Sequence, residues 1–332
     1  MGGDLIAFDI GTAQLKLVWY AGAARKKAVC VTMPEKLVEN GEIISMDAMA
    51  DFIRETAREN GIPRKGAAIV LPASLVFTRN IDVPAMTDAQ LCYNLPFEFK
   101  DYLRQEKSHY YFDYAVNEVI EDDDGKPRSM RLFACATLKK TIEDYREMLR
   151  RAGFKLKTAI PEEAAYAALM AAKKPQGDED PSDTCFVDLG YNAIRMQIFR
   201  GQEFITRRTI DIGICDIVRA LGEARGVDEH MAYEHFRSDY EGALNDPISL
   251  DFYHRMAVEI MKAINFYNYN NREQTLRRIY LCGGGAAVDT LRRIIAEQTN
   301  TELIPAGELW SEGAAPEEPY LYLKATGCAL QG

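Results

Sequence analysis

LIAFDIGTAQLKLVWY, Leu5 to Tyr20, is the stretch whose reading decides the fold. An apolar run from Leu5 to Ile10 carries one acid, Asp9, and stops at Gly11-Thr12; beyond it Leu15, Leu17 and Trp19 alternate with Gln14, Lys16 and Val18. This pattern predicts two strands joined by a tight turn. An acid at the end of a buried strand is costly unless something neutralises it. The Gly-Thr that follows offers N–H groups and a hydroxyl, so phosphate and Mg²⁺ together would satisfy all three features. The plainer reading of the same residues is a hairpin whose Asp caps its own turn.

The pattern returns at CFVDLGYNAIRMQIF, Cys185 to Phe199: an apolar strand, a turn at Asp188 and Gly190, then alternating Ile194, Met196 and Ile198. The chain thus reads as two halves that begin the same way. A third turn lies in RIYLCGGGAAVDTLRRIIAEQ, where strand Ile279 to Cys282 runs into Gly283, Gly284 and Gly285 and a helix starts near Val288. Three glycines permit close backbone approach, and a helix N-terminus offers N–H groups to an anion or sugar. Together the three turns are far more specific than any one of them.

At 332 residues the chain is long enough for two domains with real cores. An apolar fraction of 47% beside 27% charged residues fits a soluble globular protein. A net charge of −10, without a basic stripe carrying interleaved aromatics, argues against a nucleic-acid partner. Asp4, Asp9 and Lys16 interrupt the first twenty residues, so these are expected to be neither a signal peptide nor a membrane span, and no other window holds about 18 apolar residues. The seven cysteines lack Cys-x-x-Cys pairs and fall mostly in apolar stretches, as core residues of a reducing cytosol would. His109, His230, His235 and His254 show no metal or triad spacing.

Along the chain, a strand is predicted near Ala28–Thr32, a helix over Met46–Asn60 and a buried strand over Ala67–Leu71. From Thr78 an extended segment runs to Pro84, and Thr87 with Gln90 reads as the capping box of a helix reaching about Leu103 with an interruption near Pro96. Two strands, Tyr110–Ile120 and Arg128–Thr137, and a helix, Leu138–Ala152, complete a small α+β unit. A strand then reaches Ile160-Pro161 and an Ala-rich helix starts at Glu162. Glu162 and Glu163 favour that helix dipole, or one of them positions a water if the terminus points into a cleft. Pro175 to Asp183 reads as a linker. A helix entered through Gly213, a helical His230–Tyr240, a long helix over Asp246–Asn271 and a last helix, Tyr320–Leu330, follow; the last reads as core packing.

These motifs resemble the actin-like ATPase superfamily shared by actin, Hsp70 chaperones, sugar kinases and FtsA. Asp9-Ile10-Gly11-Thr12 with Lys16 is similar to its first phosphate motif, Asp188-Leu189-Gly190 to the second, Leu281–Ala286 to the adenosine motif and IPEEAAYAAL to the first connecting helix. TRNIDVPAMTDAQLCYNLPFEFKDYL, with FDYAV, LFACAT and EMLRRAGFKLKTAIPEE, resembles more narrowly the inserted subdomain of the PilM-like family of type IV pilus assembly proteins. INFYNYNN before the glycine turn continues that likeness. The resemblance implies an α/β, ribonuclease H-like duplicated fold with two lobes around a nucleotide cleft. It would divide the chain into a first lobe, 1–77 and 153–180, with helix 320–330 a candidate to pack back on it, an inserted α+β subdomain of the PilM/FtsA type, 78–152, and a second lobe, 181–319.

The same resemblance implies ATP and Mg²⁺ as cofactors. Asp9 and Asp188 would hold Mg²⁺ mainly through water. Gly11, Thr12, Lys16, Gly190 and Gly213 would cradle phosphates, and Gly283, Gly284 and Gly285 would lie against adenosine. Glu162, with Asp9 and Asp188, would be the catalytic set, Glu162 ordering the attacking water, and Glu234 and Arg237 match the Glu-x-x-Lys pair that contacts the nucleoside. The departures, Gly213-Ile214 for Gly-Gly, Tyr191 and Asn192 after Gly190, and Arg237 for Lys, weigh against fast hydrolysis more than against binding.

The implied role is a cytoplasmic ATP-binding assembly protein with weak or no ATP hydrolysis. Its partner would be the N-terminal cytoplasmic peptide of a PilN-like inner-membrane protein, which brings the chain to the membrane's inner face. Val83-Pro84, Phe97, Phe99, Tyr102 and Tyr110–Tyr114 are the groove candidates. The alternatives are an FtsA-like self-associating polymer or pseudo-ATPase scaffold, and a small-molecule kinase of the same fold. The chain stops at Gly332 without a basic amphipathic tail, against the FtsA role, and it lacks the Glu-x-Gly-His and Cys-x-Cys-Gly signatures of compact sugar kinases.

Overall fold

The Asp9 hairpin is the centre of a five-stranded sheet. A computed structural model describes residues 4–39, 41–172, 183–272, 276 and 278–331. In its first part β1 (Asp4–Ile10), β2 (Gln14–Ala21) and β3 (Ala24–Thr32) form an antiparallel meander, followed by the small pair β4 (Val38–Glu39) and β5 (Glu42–Ile43), helix α1 (Met46–Glu59) and β6 (Gly66–Leu71). The chain leaves through β7 (Val76–Pro84), α2 (Asp88–Glu98), β8 (Tyr110–Glu121), β9 (Pro127–Leu138) and α3 (Lys139–Ala152), then returns as β10 (Lys155–Pro161) and α4 (Glu162–Ala172). The sheet order is β10-β6-β1-β2-β3, with β6 and β10 parallel to β1.

The second half repeats this arrangement with β11 (Thr184–Leu189), β12 (Ile194–Arg200) and β13 (Glu203–Ile210), then α5 (Ile214–Arg225), α6 (Glu229–Arg237), α7 (Pro247–Asn270), β14 (Arg278–Cys282), α8 (Asp289–Thr299) and β15 (Glu302–Ile304). Its order is β13-β12-β11-β14-β15, again a meander extended by parallel strands. The repetition reaches single residues: Asp9 lies opposite Lys16 across the first hairpin, and Asp188 opposite Arg195 across the second. Strands β1 and β11 are buried on both faces, which explains their near-continuous apolar sequences.

Each lobe has its own core, one including Phe8, Met49, Ile53 and Phe154, the other Val187, Val218, Tyr253 and Ile260. A third cluster joins them through Tyr166 of α4, stacked 4.3 Å from Phe186 of β11. Sheet β7-β9-β8 packs Phe99, Leu132 and Leu91 into a separate small core. Thr87 caps α2 with Gln90 as a reciprocal capping box.

Two details differ from the sequence reading. Helix α2 passes through Pro96 and ends at Glu98, short of Leu103, with Phe99–Leu103 coiled into turns that bury Phe99. The last helix, α9 (Leu323–Gln331), starts after a 3₁₀ turn at Pro319–Leu321, because Pro319 opens that turn and Tyr322 ends it outside α-helical geometry. Helix α9 packs on α4, β1, β2 and β6, so the chain's last element returns to the first lobe. The expected linker falls largely on residues 173–182, outside the described residues. Among the described residues no helix is long and apolar enough to cross a membrane.

Candidate functional site

Both Asp-Gly hairpins end at one cleft because β1 and β11 occupy the same place in their sheets. Gly11 donates its N–H to the Gln14 carbonyl at 3.0 Å, which closes the first turn. In the second, the Gly190 carbonyl accepts from the Ile214 N–H at 3.2 Å and the Tyr191 carbonyl from the Cys215 N–H at 2.8 Å, tying the turn to the start of α5. The turns touch across the cleft, where the Asn192 amide Nδ2 donates to Thr12 Oγ1 at 3.3 Å. Between them is a cavity of about 430 Å³, within the usual range for a small-molecule site.

Asp9, Gly11, Thr12, Lys16, Asp188, Gly190, Arg237, Gly284 and Gly285 line that cavity. Four other sequence candidates stand just behind its wall. Gly213 abuts the Tyr191-Asn192 backbone so closely that a Cβ there would strike it, so its absent side chain lets α5 approach the turn. Gly283, at φ +83°, brings its backbone against Asp188 Oδ1. Glu234 accepts from Arg237 Nη2 at 2.9 Å and fixes the arginine that reaches the cavity. Glu162 lies beneath the cavity, accepting from Gln197 Nε2 at 3.2 Å. Its neighbour Glu163 faces away, accepting from Arg207 and Thr78 at 3.0 Å each; burial pushes its carboxyl up, which Arg207 and Thr78 offset in part.

Sequence reading missed the group at the centre. Lys324, from α9, places its ammonium 3.0 Å from Asp188 Oδ2, 3.4 Å from Glu162 Oε1 and 3.7 Å from Asp9 Oδ1. Its side chain is only 13% exposed. Burial alone would lower the Lys324 pKa, but the three carboxylates hold it well above the ordinary lysine value. Burial likewise would raise Asp188, yet Lys324, then Lys16 and Arg195, bring it down from 3.8 to about 2. Both groups are therefore charged at neutral pH. Arg195 also went unnoticed, although it follows Asp188 at the spacing by which Lys16 follows Asp9.

The donor set decides what can occupy the cleft. Lys16, Arg195, Thr12 and Asn192 on facing hairpins suit a polyphosphate, while Gly284 and Gly285 put backbone on the cavity wall, Gly285 because its missing side chain admits Leu189. A divalent ion between Asp9 and Asp188 fits poorly, since the Lys324 ammonium already stands where those carboxylates converge. Among the described residues no group of three His, Cys, Asp or Glu side chains is arranged to hold a metal.

The family model for type IV pilus assembly protein PilM matches residues 7–307. No curated protein matches the chain. Among solved structures, the fold is similar to that in a PilM-PilN type IV pilus biogenesis complex, at 19% identity over 98% of both chains with a TM-score of 0.77. It is also similar to ethanolamine utilization protein EutJ from Carboxydothermus hydrogenoformans, at 15% identity over 100% of this chain and 91% of that one, TM-score 0.64. An archaeal actin homolog, Ta0583, aligns at 14% identity over 98% of both chains, TM-score 0.52. At these identities the likeness speaks for the fold, which is the actin-like ATPase fold with two sheet lobes.

Proposed function

The chain belongs to the type IV pilus assembly protein PilM family, and from that premise we propose that it is a nucleotide-binding scaffold of a pilus, secretion or DNA-uptake assembly. The observation that carries the nucleotide part is the meeting of the two Asp-Gly turns, with Lys16, Thr12, Arg195 and Asn192 facing one cavity and two glycines on its wall. The ligand is ATP or its diphosphate product, with phosphates at the turns and the nucleoside beside Gly284, Gly285 and Arg237. Turnover is weak or absent, because Glu162, the candidate to order a water, is held by Gln197 and Lys324 and has no place on the cavity wall.

The inserted unit presents the partner surface, on α2 and the turns after it. Of the residues considered for a groove, Val83, Phe99 and Tyr110 are core, whereas Phe97 and Tyr102 are 47% and 48% exposed beside Tyr93 at 70%. Lys107 stands over the Phe97 ring at 4.3 Å. This aromatic surface suits an extended N-terminal peptide of a PilN-like membrane protein, which would hold the chain at the cytoplasmic face of the membrane.

Calorimetric titration of ATP into protein freed of carried-over nucleotide tests the cleft, with Lys16→Met/Arg195→Met, which removes the cations of both hairpins, as the control. Binding to the wild type that is lost in the double variant is expected; a wild type that takes up no ATP under any condition would sink the reading. The peptide arm uses a PilN-like N-terminal peptide against Phe97→Ser/Tyr102→Ser, which should weaken binding without moving the melting temperature.

A further inference from the structure

Charge counting in the cleft gives an unexpected balance. Asp9, Glu162 and Asp188 carry three negative charges, and Lys16, Arg195 and Lys324 three positive ones; Arg237 and Glu318, which also line the cavity, add one of each. In a cleft that relied on a divalent cation to join its two aspartates to phosphate, the acids would stand unneutralised. Here they are neutralised by the chain itself. An ammonium is a compact charge with three donors, and Lys324 directs it at three carboxylates. Magnesium sheds water reluctantly and demands octahedral oxygen ligands. To reach Asp9 and Asp188 it would have to share them with an ammonium at contact distance.

Lys324 is also fixed. Its helix, α9, lies against α4 so tightly that Gly327 has no room for a side chain beside Ala165. The lysine side chain is largely buried where it borders the cavity. The cation is therefore pre-organised, present before any ligand arrives, and it joins Asp9 of one hairpin to Asp188 of the other.

We propose that Lys324 takes the place of the divalent cation, its single charge joined by those of Lys16 and Arg195, so that the cleft binds nucleoside triphosphate in its metal-free form. The proposal rests on the nucleotide reading above and deepens it. Lys16 and Arg195 meet the phosphates from the two hairpins, and Lys324 meets them from below while holding both aspartates.

The test compares nucleotide-free wild type titrated with ATP in excess EDTA and in excess Mg²⁺. Affinities that agree within about threefold are expected. Lys324→Met should weaken binding in EDTA by about thirtyfold or more, as when one partner of a desolvated charge pair is removed, and Mg²⁺ should restore most of it. Lys324→Arg should remain indifferent to metal. As a readout free of nucleotide, Mn²⁺ followed by electron paramagnetic resonance should bind the Lys324→Met cleft and not that of the wild type. Wild type that binds ATP only with Mg²⁺ overturns the assignment of Lys324 and leaves the nucleotide reading standing; wild type that binds in neither buffer overturns both. If Lys324→Met fails to fold, the wild-type pair and Lys324→Arg still decide.

Discussion

Replacing Gly327 by Ala sets helix propensity against packing, and the structure says which wins. Gly327 is buried inside α9. On propensity alone, Gly→Ala in a helix interior adds about 1 kcal/mol of stability. A Cβ at this position would lie 2.6 Å from the Ala165 carbonyl carbon and 3.0 Å from its Cα, closer still to the carbonyl oxygen. Ordinary packing begins at 3.4 Å, so α9 must retreat from α4 by at least the difference from 2.6 Å, about 0.8 Å. The obstacle is backbone, which cannot rotate aside. Overpacking of this kind costs about 1–3 kcal/mol or more, and the gap that opens around Leu323 and Ala325 adds to it. The net expectation is a loss of about 1–2 kcal/mol. Lys324 is carried on the same helix one turn earlier, so the retreat also stretches its 3.0 Å bond to Asp188 beyond hydrogen-bond length. Thermal and urea unfolding followed by circular dichroism, paired with ATP titration, checks both effects. A Gly327→Ala protein as stable as wild type, with unchanged ATP affinity, refutes the packing argument and with it the idea that α9 is held to α4 by the missing side chain.

Asp188 predicts an acid limb. Its pKa is depressed from 3.8 to about 2, so its contribution to stability is complete above pH 3.8 and is lost as pH falls toward 2; it amounts to about 2 kcal/mol. Asp188→Asn should flatten the fall in urea midpoint between about pH 4 and pH 2, and an unchanged slope would assign that fall to other carboxylates. Arg207→Met leaves Glu163, 1% exposed, with Thr78 as its remaining partner; because the arginine itself is 37% exposed, the cost is about 1–2 kcal/mol and not that of a fully buried pair. Arg207→Met/Glu163→Gln should recover part of that loss, and simple additivity of the two changes would count against the pairing. Gly283→Ala puts a side chain at φ +83° against Asp188; strain of about 1–3 kcal/mol and loss of ATP binding are expected, to be read from melting and calorimetry.

Much of the fold was legible because strands buried on both faces leave unbroken apolar runs, and an acid inside such a run has to be neutralised. That logic located Asp9 and Asp188. Followed one step further, it would have located Arg195, since the register that sets Lys16 opposite Asp9 sets Arg195 opposite Asp188. Lys324 was harder. LYLKATGCAL reads as a core helix, and Leu323 and Ala325–Ala329 are indeed buried. The available clue was that a lysine in a helix without a polar face has no route to water and must meet acids. Which acids depends on where the last helix lands, and this is set by packing on α4 and β1, elements more than 150 positions earlier in the chain.

This dependence gives the arrangement a consequence beyond charge neutrality. Lys324 can neutralise Asp9, Glu162 and Asp188 only while α9 is seated on the first lobe and the second lobe holds Asp188 against it. Three oppositely charged partners drawn from β1, α4 and β11 make the ammonium a joint between the lobes, with a strength that depends on keeping water out. Phosphate entering between the hairpins competes with the carboxylates for the same donors. On the proposed nucleotide reading, a bound nucleotide would weaken this link between the lobes at the moment it supplies new ones of its own, and the lobe angle would become a function of what the cleft holds. A scaffold needs no hydrolysis to use that coupling, because differential binding to two lobe angles is sufficient to bias a partner surface.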